Sequence, residues 1–277
     1  MTETVDTAQE LAAFLRTRRE GLDPHEFGLP QRRQSRRTPG LRREEVAELA
    51  GVSTDYVVRL EQARGLRPSP EVLEALATAL RLDPDERTYL FDLAQQRPPN
   101  TGKPSTTADP ALVRLVADLS PRPAMVFNHR FDILCWNREM ARLLVDFDRL
   151  PSQQRNSMWM CLRHPVIGAD FYVDRERILR EGIADLRAAW GAHPEDRMLA
   201  DMIAELRATD VEFERLWAKR DVKVRARGIK VMRHPGVGRV AVEYEVLMPL
   251  QDPDQRLVIY RAADENSQAA LDRLGAD

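Results

Sequence analysis

A single glycine separates two short segments of apolar periodicity in residues 41–65, and this arrangement leaves few folds open to the chain. The stretch reads LRREEVAELAGVSTDYVVRLEQARG. Gly51 permits the left-handed backbone of a tight turn, and Ser53 stands where a hydroxyl caps the next helix. Ala47 is small enough for the second helix to cross closely. The pattern predicts two helices joined by a tight turn.

The apolar side chains of the two segments predict which faces are buried. Val46, Leu49 and Ala50 recur at helical spacing, and Val57 and Leu60 continue the stripe after the turn. A hairpin of this kind inserts its second helix into the major groove of DNA. The segment therefore indicates a sequence-specific DNA-binding transcription regulator, and a buried helical hairpin without a DNA role is the alternative. The outward positions of the second helix are Thr54, Asp55, Tyr56, Val58 and Arg59.

Charge is unevenly placed, which matters more here than the net charge of −2. Residues 1–94 contain 14 Arg, no Lys and 17 acidic residues, yet residues 31–43 contain six Arg and no acid. A guanidinium binds phosphate and guanine bidentately, as an ammonium does not. This run predicts a contact with the DNA backbone, in which Arg36 and Arg37 hold phosphates or enter a minor groove. A solvated loop is the alternative.

Apolar periodicity and breakers predict five helices in the first 94 residues, and hence an all-α DNA-binding domain over residues 1–94. A Pro-rich stretch whose one aliphatic residue is Ala108 predicts a linker over residues 95–108. The five helices are expected over residues 10–21, 42–50, 53–64, 69–82 and 84–94.

Residues 109–277 alternate between strand and helix patterns. Antiparallel hairpins with helices packed on one face predict an α+β domain. Strands are expected over residues 124–128, 131–136, 228–234, 238–247 and 256–262. Helices are expected over residues 110–119, 137–147, 175–189, 194–208 and 211–219, and after residue 264.

Several function classes find no support in the sequence. No apolar run approaches the length of a membrane span, and the first twenty residues lack the pattern of a secretory signal, so we expect a cytoplasmic protein. Cys135 and Cys161 lack zinc-ligand spacing and are expected to be free buried thiols, with a redox switch as a rival. No phosphate loop, serine-hydrolase elbow or metalloprotease motif occurs, so neither an enzyme nor a metal site nor a cofactor is expected.

The stretches RRQSRRTPGLRREEVAELAGVS, DYVVRLEQARG and PSPEVLEALATALRLDPDER resemble XRE/Cro-like helix-turn-helix regulators, in particular the MmyB-like branch. The resemblance implies a five-helix, lambda-repressor-like domain. It implies a phosphate contact for Arg43 and groove-facing positions for Thr54, Asp55 and Arg59. Glu61 is expected to be structural, paired with Arg16 or Arg19 of the first helix. The expected DNA-binding residues are Arg36, Arg37, Arg42, Arg43, Ser53, Thr54, Asp55, Tyr56, Val58, Arg59 and Arg64.

The stretches DVEFERLWAKRDV and GIKVMRHPGVGRVAVEYEVLMPLQDPDQRLVIYRAADENS are similar to the ligand-binding domain of the same branch. This resemblance implies a PAS-like domain that holds a fatty acid or another small apolar effector. Large, adaptable apolar side chains between residues 127 and 217 fit such a cavity, although they also fit an ordinary core. The expected cavity residues are Phe127, Leu134, Trp136, Met140, Leu144, Met158, Trp159, Trp190 and Met202.

The expected protein is thus a homodimer whose partners are a palindromic double-stranded operator, a second copy of itself and a small apolar ligand. No membrane partner is expected. The main alternative for residues 109–277 is a dimerisation and protein-interaction platform that has a solid core and binds no ligand.

Overall fold

The computed structural model of this chain describes residues 6–27, 40–65, 67–95 and 105–276. They divide into two compact units. Unit 1 combines the residues up to Thr101 with a second segment, Arg187–Lys223, which we call the docking segment. Unit 2 combines Gly102–Leu186 with Val224–Asp277. The packing of the docking segment with the N-terminal helices was not indicated by the sequence.

In the described residues of unit 1, all regular structure is helical. The N-terminal ones are α1 (Thr7–Gly21), α2 (Arg43–Ala50), α3 (Thr54–Glu61), α4 (Pro70–Ala79) and α5 (Pro84–Leu93).

Unit 2 contains helices and a five-stranded sheet, and the docking segment holds the end of one long helix and two more. In chain order these elements are α6 (Pro110–Asp118), β1 (Ala124–Asn128), β2 (Ile133–Trp136), α7 (Arg138–Leu143), α8 (Ser157–Arg163), α9 (Arg175–Ala192), α10 (Arg197–Thr209), α11 (Val211–Trp217), β3 (Arg227–His234), β4 (Gly238–Leu247), β5 (Gln255–Ala262) and α12 (Glu265–Ala276).

Side-chain caps start the N-terminal helices where the sequence predicts them. The Ser53 hydroxyl accepts from the Tyr56 amide at 3.1 Å, and the Asp83 carboxylate accepts from the amides of Asp85 and Glu86. Such caps satisfy the otherwise unpaired amides of a first helical turn. The five predicted N-terminal helices are all present, with ends shifted by a few residues.

One core prediction in this region is wrong. Leu49 was expected inside, but it is 39% exposed. The buried side chains of α2 are instead Val46, Ala47 and Ala50. These three residues form a narrow apolar stripe that faces the core, and Leu49 lies beside that stripe rather than within it.

The sheet of unit 2 is antiparallel, with strand order β2-β1-β5-β4-β3. Alternation along the strands sorts residues between its two faces. On one face, Ala124 and Val126 of β1 and Leu257 and Ile259 of β5 form an apolar cluster with α6. The intervening residues of both strands point to the opposite face.

That opposite face lies against α8 and α9, whose side chains share a cavity with those of the strands. Helices therefore cover both faces of the sheet, whereas the sequence predicted helices on one face only. The reason is that β1 is buried along its full length, and a strand buried on both faces needs a cover on each. The predicted α+β class is confirmed.

None of the helices in the described part of the chain combines the length and the apolar character that crossing a membrane requires.

Candidate DNA-binding helix and effector cavity

The turn ahead of α3 has the conformation that the sequence predicts. Gly51 adopts φ +65°, in the left-handed region, and its amide caps the end of α2. A side chain at Gly51 would meet no atom within 4 Å, so the backbone conformation, rather than lack of space, requires glycine there. Ser53 then begins α3 as its N-cap.

The side chains expected to read DNA lie on the outer surface of α3 and just beyond it. Those of Ser53, Thr54, Asp55, Arg59 and Arg64 are exposed, whereas Val57, Leu60 and Glu61 are buried. Because exposed and buried positions alternate at helical spacing, α3 packs by one face and presents the other to solvent.

Tyr56 and Val58, also expected at the groove, are half-buried at the edges of that outer face. Burial raises the pKa of the Tyr56 phenol, which therefore stays a neutral hydrogen-bonding group at neutral pH. Arg36 and Arg37 lie outside the described residues.

Glu61 joins the end of α3 to α1. Its carboxylate accepts from Arg19 Nε at 2.6 Å and from Arg19 Nη2 at 3.1 Å, while Arg16 Nη2 donates to the Glu61 backbone carbonyl at 2.6 Å. The predicted pairing with the first helix is confirmed. Burial acts to lower the pKa of Arg19, but the bonds to Glu61 and Glu20 outweigh it and leave that pKa raised.

Arg43 joins the same anchor. Its Nε donates to the Glu61 carboxylate at 2.7 Å, and its side chain is 39% exposed. A phosphate contact by Arg43 would therefore use the remaining guanidinium nitrogens. The backbone amide of neighbouring Arg42 donates to Glu45 at 2.7 Å, which fixes the start of α2.

Unit 2 contains a cavity of about 120 Å³ between the sheet and the helices α8 and α9. Its walls are apolar over most of their area. The strands contribute Met125, Phe127, Ile133, Val246 and Val258, and the helices and loops contribute Phe131, Leu144, Met158, Met160, Ile167, Ile178 and Leu179.

Phe127, Leu144 and Met158, three of the nine residues expected at a cavity, line it. Leu134 packs instead on the α6 side of the sheet, and Trp136 tilts against the ring of Phe147.

The other four expected residues lie elsewhere in the described structure. Met140 is fully buried in α7, and the Trp159 ring meets His164 edge-on. Trp190 and Met202 belong to unit 1, where the Trp190 ring packs edge-on against Trp217. Apolar character alone did not separate lining residues from ordinary core.

The sequence did not reveal the polar group in the cavity wall, which surrounds Lys230 of β3. Lys230 Nζ donates to the Tyr260 hydroxyl at 3.1 Å and lies 5.0 Å from the Tyr244 ring centroid and 5.9 Å from that of Tyr172. No carboxylate of the described chain pairs with it. The strand register that places Tyr244 opposite Tyr260 brings both tyrosines close to Lys230. This cluster can be recognised only once the pairing of the strands is known.

The surroundings of Lys230 and of the tyrosines near it determine their ionisation states. Burial acts to lower the pKa of Lys230, but the neighbouring Tyr260 outweighs it and leaves that pKa raised. Burial also raises the pKa values of Tyr172 and Tyr244. At neutral pH Lys230 is therefore an ammonium beside the neutral phenols of Tyr172 and Tyr244.

Other charged side chains of the cavity wall are paired. Glu181 contacts Arg177 at 3.2 Å and Arg225 at 3.3 Å, and Asp185 accepts two bonds from Arg256 at 2.7 and 2.8 Å. Lys230 is thus the lining cation that lacks a carboxylate in the described structure.

Both cysteines are free thiols, as predicted, but they are half-buried rather than buried. Burial raises the pKa of Cys135 to about 11 and also raises that of Cys161. A thiol that stays protonated is a poor nucleophile, because the thiolate is the reactive form.

A capped helix with one exposed face, set behind a left-handed glycine on a small helical domain, is the geometry of helix-turn-helix DNA-binding domains. A family model described as a helix-turn-helix domain matches residues 10–90. Together with a separate region that contains a cavity, these features define a DNA-binding transcription regulator.

A second family model, the MmyB-like transcription regulator ligand binding domain, matches residues 108–274. Since that match spans more than half of the chain, the protein belongs to the MmyB-like transcription regulator family. Both matched families are regulator domains and not enzymes, which confirms that expectation. A comparison with curated proteins gave no match.

Proposed function

We propose that this regulator binds a palindromic operator as a homodimer of the XRE type, and that a small amphipathic effector in a PAS-like unit 2 modulates the binding. The observation that supports the effector most directly is the apolar cavity whose wall carries Lys230, an ammonium that pairs with no carboxylate of the described residues. Lys230 is half-buried, and a cation withdrawn from water without a carboxylate is costly, so an anionic ligand group would offset that cost.

The cavity size limits the effector. A dry cavity of about 150 Å³ binds benzene, so about 120 Å³ accommodates only a compact group in this arrangement. A fatty-acid chain has to displace wall residues. Met158 and Met160 are the flexible side chains best suited to move, since methionine adapts its shape at low cost.

The DNA-binding part of the proposal is tested by selecting a site from random duplexes and measuring its affinity for variants. Arg59→Ala should weaken binding about 5- to 150-fold and relax the preference at one base pair, as expected for loss of about 1–3 kcal/mol of guanine readout. Arg87→Ala is a matched control, because Arg87 of α5 is exposed but pairs with Glu74 of α4. Unchanged preference in Arg59→Ala would exclude α3 as the reading helix.

The effector is tested by native mass spectrometry of the purified protein and by calorimetry with octanoate and 1-octanol. We expect a retained acidic lipid, or binding of octanoate in preference to octanol. Lys230→Gln should abolish that preference. Equal affinity for both probes would refute the role of Lys230, and the lack of any bound molecule would favour the interaction platform without a ligand.

Dimerisation is tested by sedimentation with and without the selected site. Two-fold pairing predicts two half-sites about 34–36 Å apart, or multiples of that distance. A protein that stays monomeric on a non-palindromic site would contradict this part of the proposal.

A further inference from the structure

A buried ion pair fastens the docking segment to the N-terminal helices within unit 1. Arg187, near the end of α9, is 1% exposed and pairs with Glu10 of α1. Its guanidinium also donates to the Trp217 carbonyl and lies 3.8 Å from the centroid of the Trp217 ring. The Tyr89 hydroxyl of α5 is 3.4 Å from the same Glu10 carboxylate. Four helices, α1, α5, α9 and α11, thus meet at one charge pair.

Close packing surrounds this pair. A side chain on Gly191 would collide with the Tyr89 ring, so α9 approaches α5 as closely as a glycine allows. At the rim, Lys223 pairs with Asp83 at 3.0 Å and with Asp85 at 3.2 Å. Interlocked surfaces with a buried charge pair are typical of a specific interface rather than a loose contact.

Docking leaves the DNA-reading surface open. With the segment in place, Thr54, Asp55 and Arg59 remain exposed. The docking segment therefore does not cover the DNA-reading surface of α3. Its effect on DNA binding must come from the orientation in which it holds the N-terminal helices. In a dimer, two domains held in a fixed orientation bind two half-sites at a lower entropic cost than two free ones.

Helix α1 takes part in both the docking contact and the anchor of α3. Glu10 faces the docking segment, whereas Arg16 and Arg19 hold Glu61 at the end of α3. The helix that receives the docking segment is therefore the one that supports the reading helix.

Helix α9 connects the docking contact to the cavity by continuous backbone. Ile178, Leu179 and Gly182 line the cavity, and Arg187 follows Gly182 by five residues in the same helix. Because a helix transmits displacement along its axis, a ligand that pushes on its cavity-lining turns moves the turn that carries Arg187.

The docking contact contains buried polar groups that are not fully hydrogen-bonded, and this lowers its stability enough for it to be released. The Nε atoms of Arg18 and Arg187 are buried without a hydrogen-bond partner in the described structure. The buried Nε of Arg220 is 3.6 Å from the Glu10 carboxylate, too far for a hydrogen bond but close enough for an ion pair. A buried donor without a partner loses its hydration with no bond to offset it, and a partly satisfied buried network is less stable than a complete one. Two states of similar free energy are what a switch requires.

We propose that the docking segment is the element through which the cavity controls DNA binding. The docked form is the form that binds the operator tightly, and an effector that displaces α9 releases the segment and weakens binding. This inference rests on the effector function proposed above, but its test needs no ligand.

The test compares full-length variants by amide hydrogen exchange of residues 197–217 and by affinity for the selected DNA site. Arg187→Met and Gly191→Leu disturb the contact by different chemistry, and both lie outside the DNA-reading helices. Each should speed exchange in this region and weaken DNA binding at least tenfold. Glu214→Gln is the matched control, since its pair with Arg207 lies exposed on the same segment, and it should change neither quantity.

Two further variants complete the test. Glu10→Leu combined with Arg187→Met replaces the ion pair by apolar groups, which is often neutral or stabilising, and should bring affinity back to within about threefold of wild type. Gly182→Met adds bulk from α9 toward Met158, which a side chain there would contact at 3.2 Å. It should release residues 197–217 as a ligand would.

Slow amide exchange in α2 and α3 verifies that each variant remains folded. If Arg187→Met unfolds the N-terminal helices, Gly191→Leu still tests the contact, because it leaves both Arg187 and Glu10 unchanged. The proposal is overturned if residues 197–217 are released without loss of affinity, if affinity rises, or if Gly182→Met leaves their exchange unchanged. Loss of the octanoate preference alone would count against the proposed effector but not against this coupling.

Discussion

Replacing Glu61 by alanine tests whether this buried acid holds the reading helix in place. The substitution removes both carboxylate oxygens that accept from Arg19 and the one that accepts from Arg43. The Arg16 bond goes to the Glu61 backbone and survives. Arg19 is then left buried with bonds only to the Leu41 carbonyl and Glu20.

The magnitude follows from this burial. Breaking a buried pair by removing one partner costs about 3–5 kcal/mol, a large part of the roughly 5–15 kcal/mol that stabilises a domain. If local opening governs exchange, amides of α1 and α3 should exchange roughly 150-fold to several thousand-fold faster, at about 1.4 kcal/mol per factor of ten.

The assay is hydrogen exchange of the full chain, resolved to peptides from α1 and α3. Glu74→Ala serves as control, because its partner Arg87 is equally exposed and such surface pairs contribute little. Glu61→Leu with Arg19→Met should recover most of the protection. Unchanged exchange in Glu61→Ala together with weaker DNA binding would refute the structural role and make Glu61 a DNA-contacting residue.

Three other outcomes are expected. Gly51→Ala should destabilise unit 1 by about 1–2 kcal/mol in urea unfolding, because only the left-handed backbone opposes it, and a larger loss would mean an unseen collision. Asp83→Ala should remove about 1 kcal/mol of capping. Although burial acts to raise the pKa of Asp83, the Glu86 amide and Lys223 leave it lowered, so this contribution is complete above pH 3.8 and is lost as pH falls through the lowered pKa. A pH-independent difference would exclude that linkage. Cys135 should react with iodoacetamide about 100-fold more slowly than a thiol of ordinary pKa 9.0, and rapid labelling would revive the redox switch.

Local signals predicted the secondary structure well. The glycine turn at Gly51, the cap at Ser53 and the strand over residues 124–128 each depend on a few neighbouring residues, and each is present as expected. Helix α8 was missed. Its run of Met158, Trp159 and Met160 has no helical period, and its start depends on Asn156, whose side chain accepts from the first amides.

Sites formed by distant segments were harder to predict. Lys230 meets Tyr260 only because β3, β4 and β5 pair in one register, and nothing in the sequence near Lys230 indicates burial. Arg187 resembles any surface arginine of an amphipathic helix, since its partner Glu10 lies far away along the chain. Such sites are determined by contacts between residues that are far apart in the sequence. The periodicity of a short segment carries no information about those contacts.

The docking segment also limits how freely such regulators exchange parts. Its residues lie within the match to the ligand-binding family, yet their neighbours are Glu10 and Tyr89 at the other end of the sequence. A transplanted DNA-binding region without counterparts of Glu10 and Tyr89 would leave Arg187 and Gly191 without complementary partners. Recombination at the linker alone would then yield folded but uncoupled hybrids, so the two regions are expected to evolve as matched pairs.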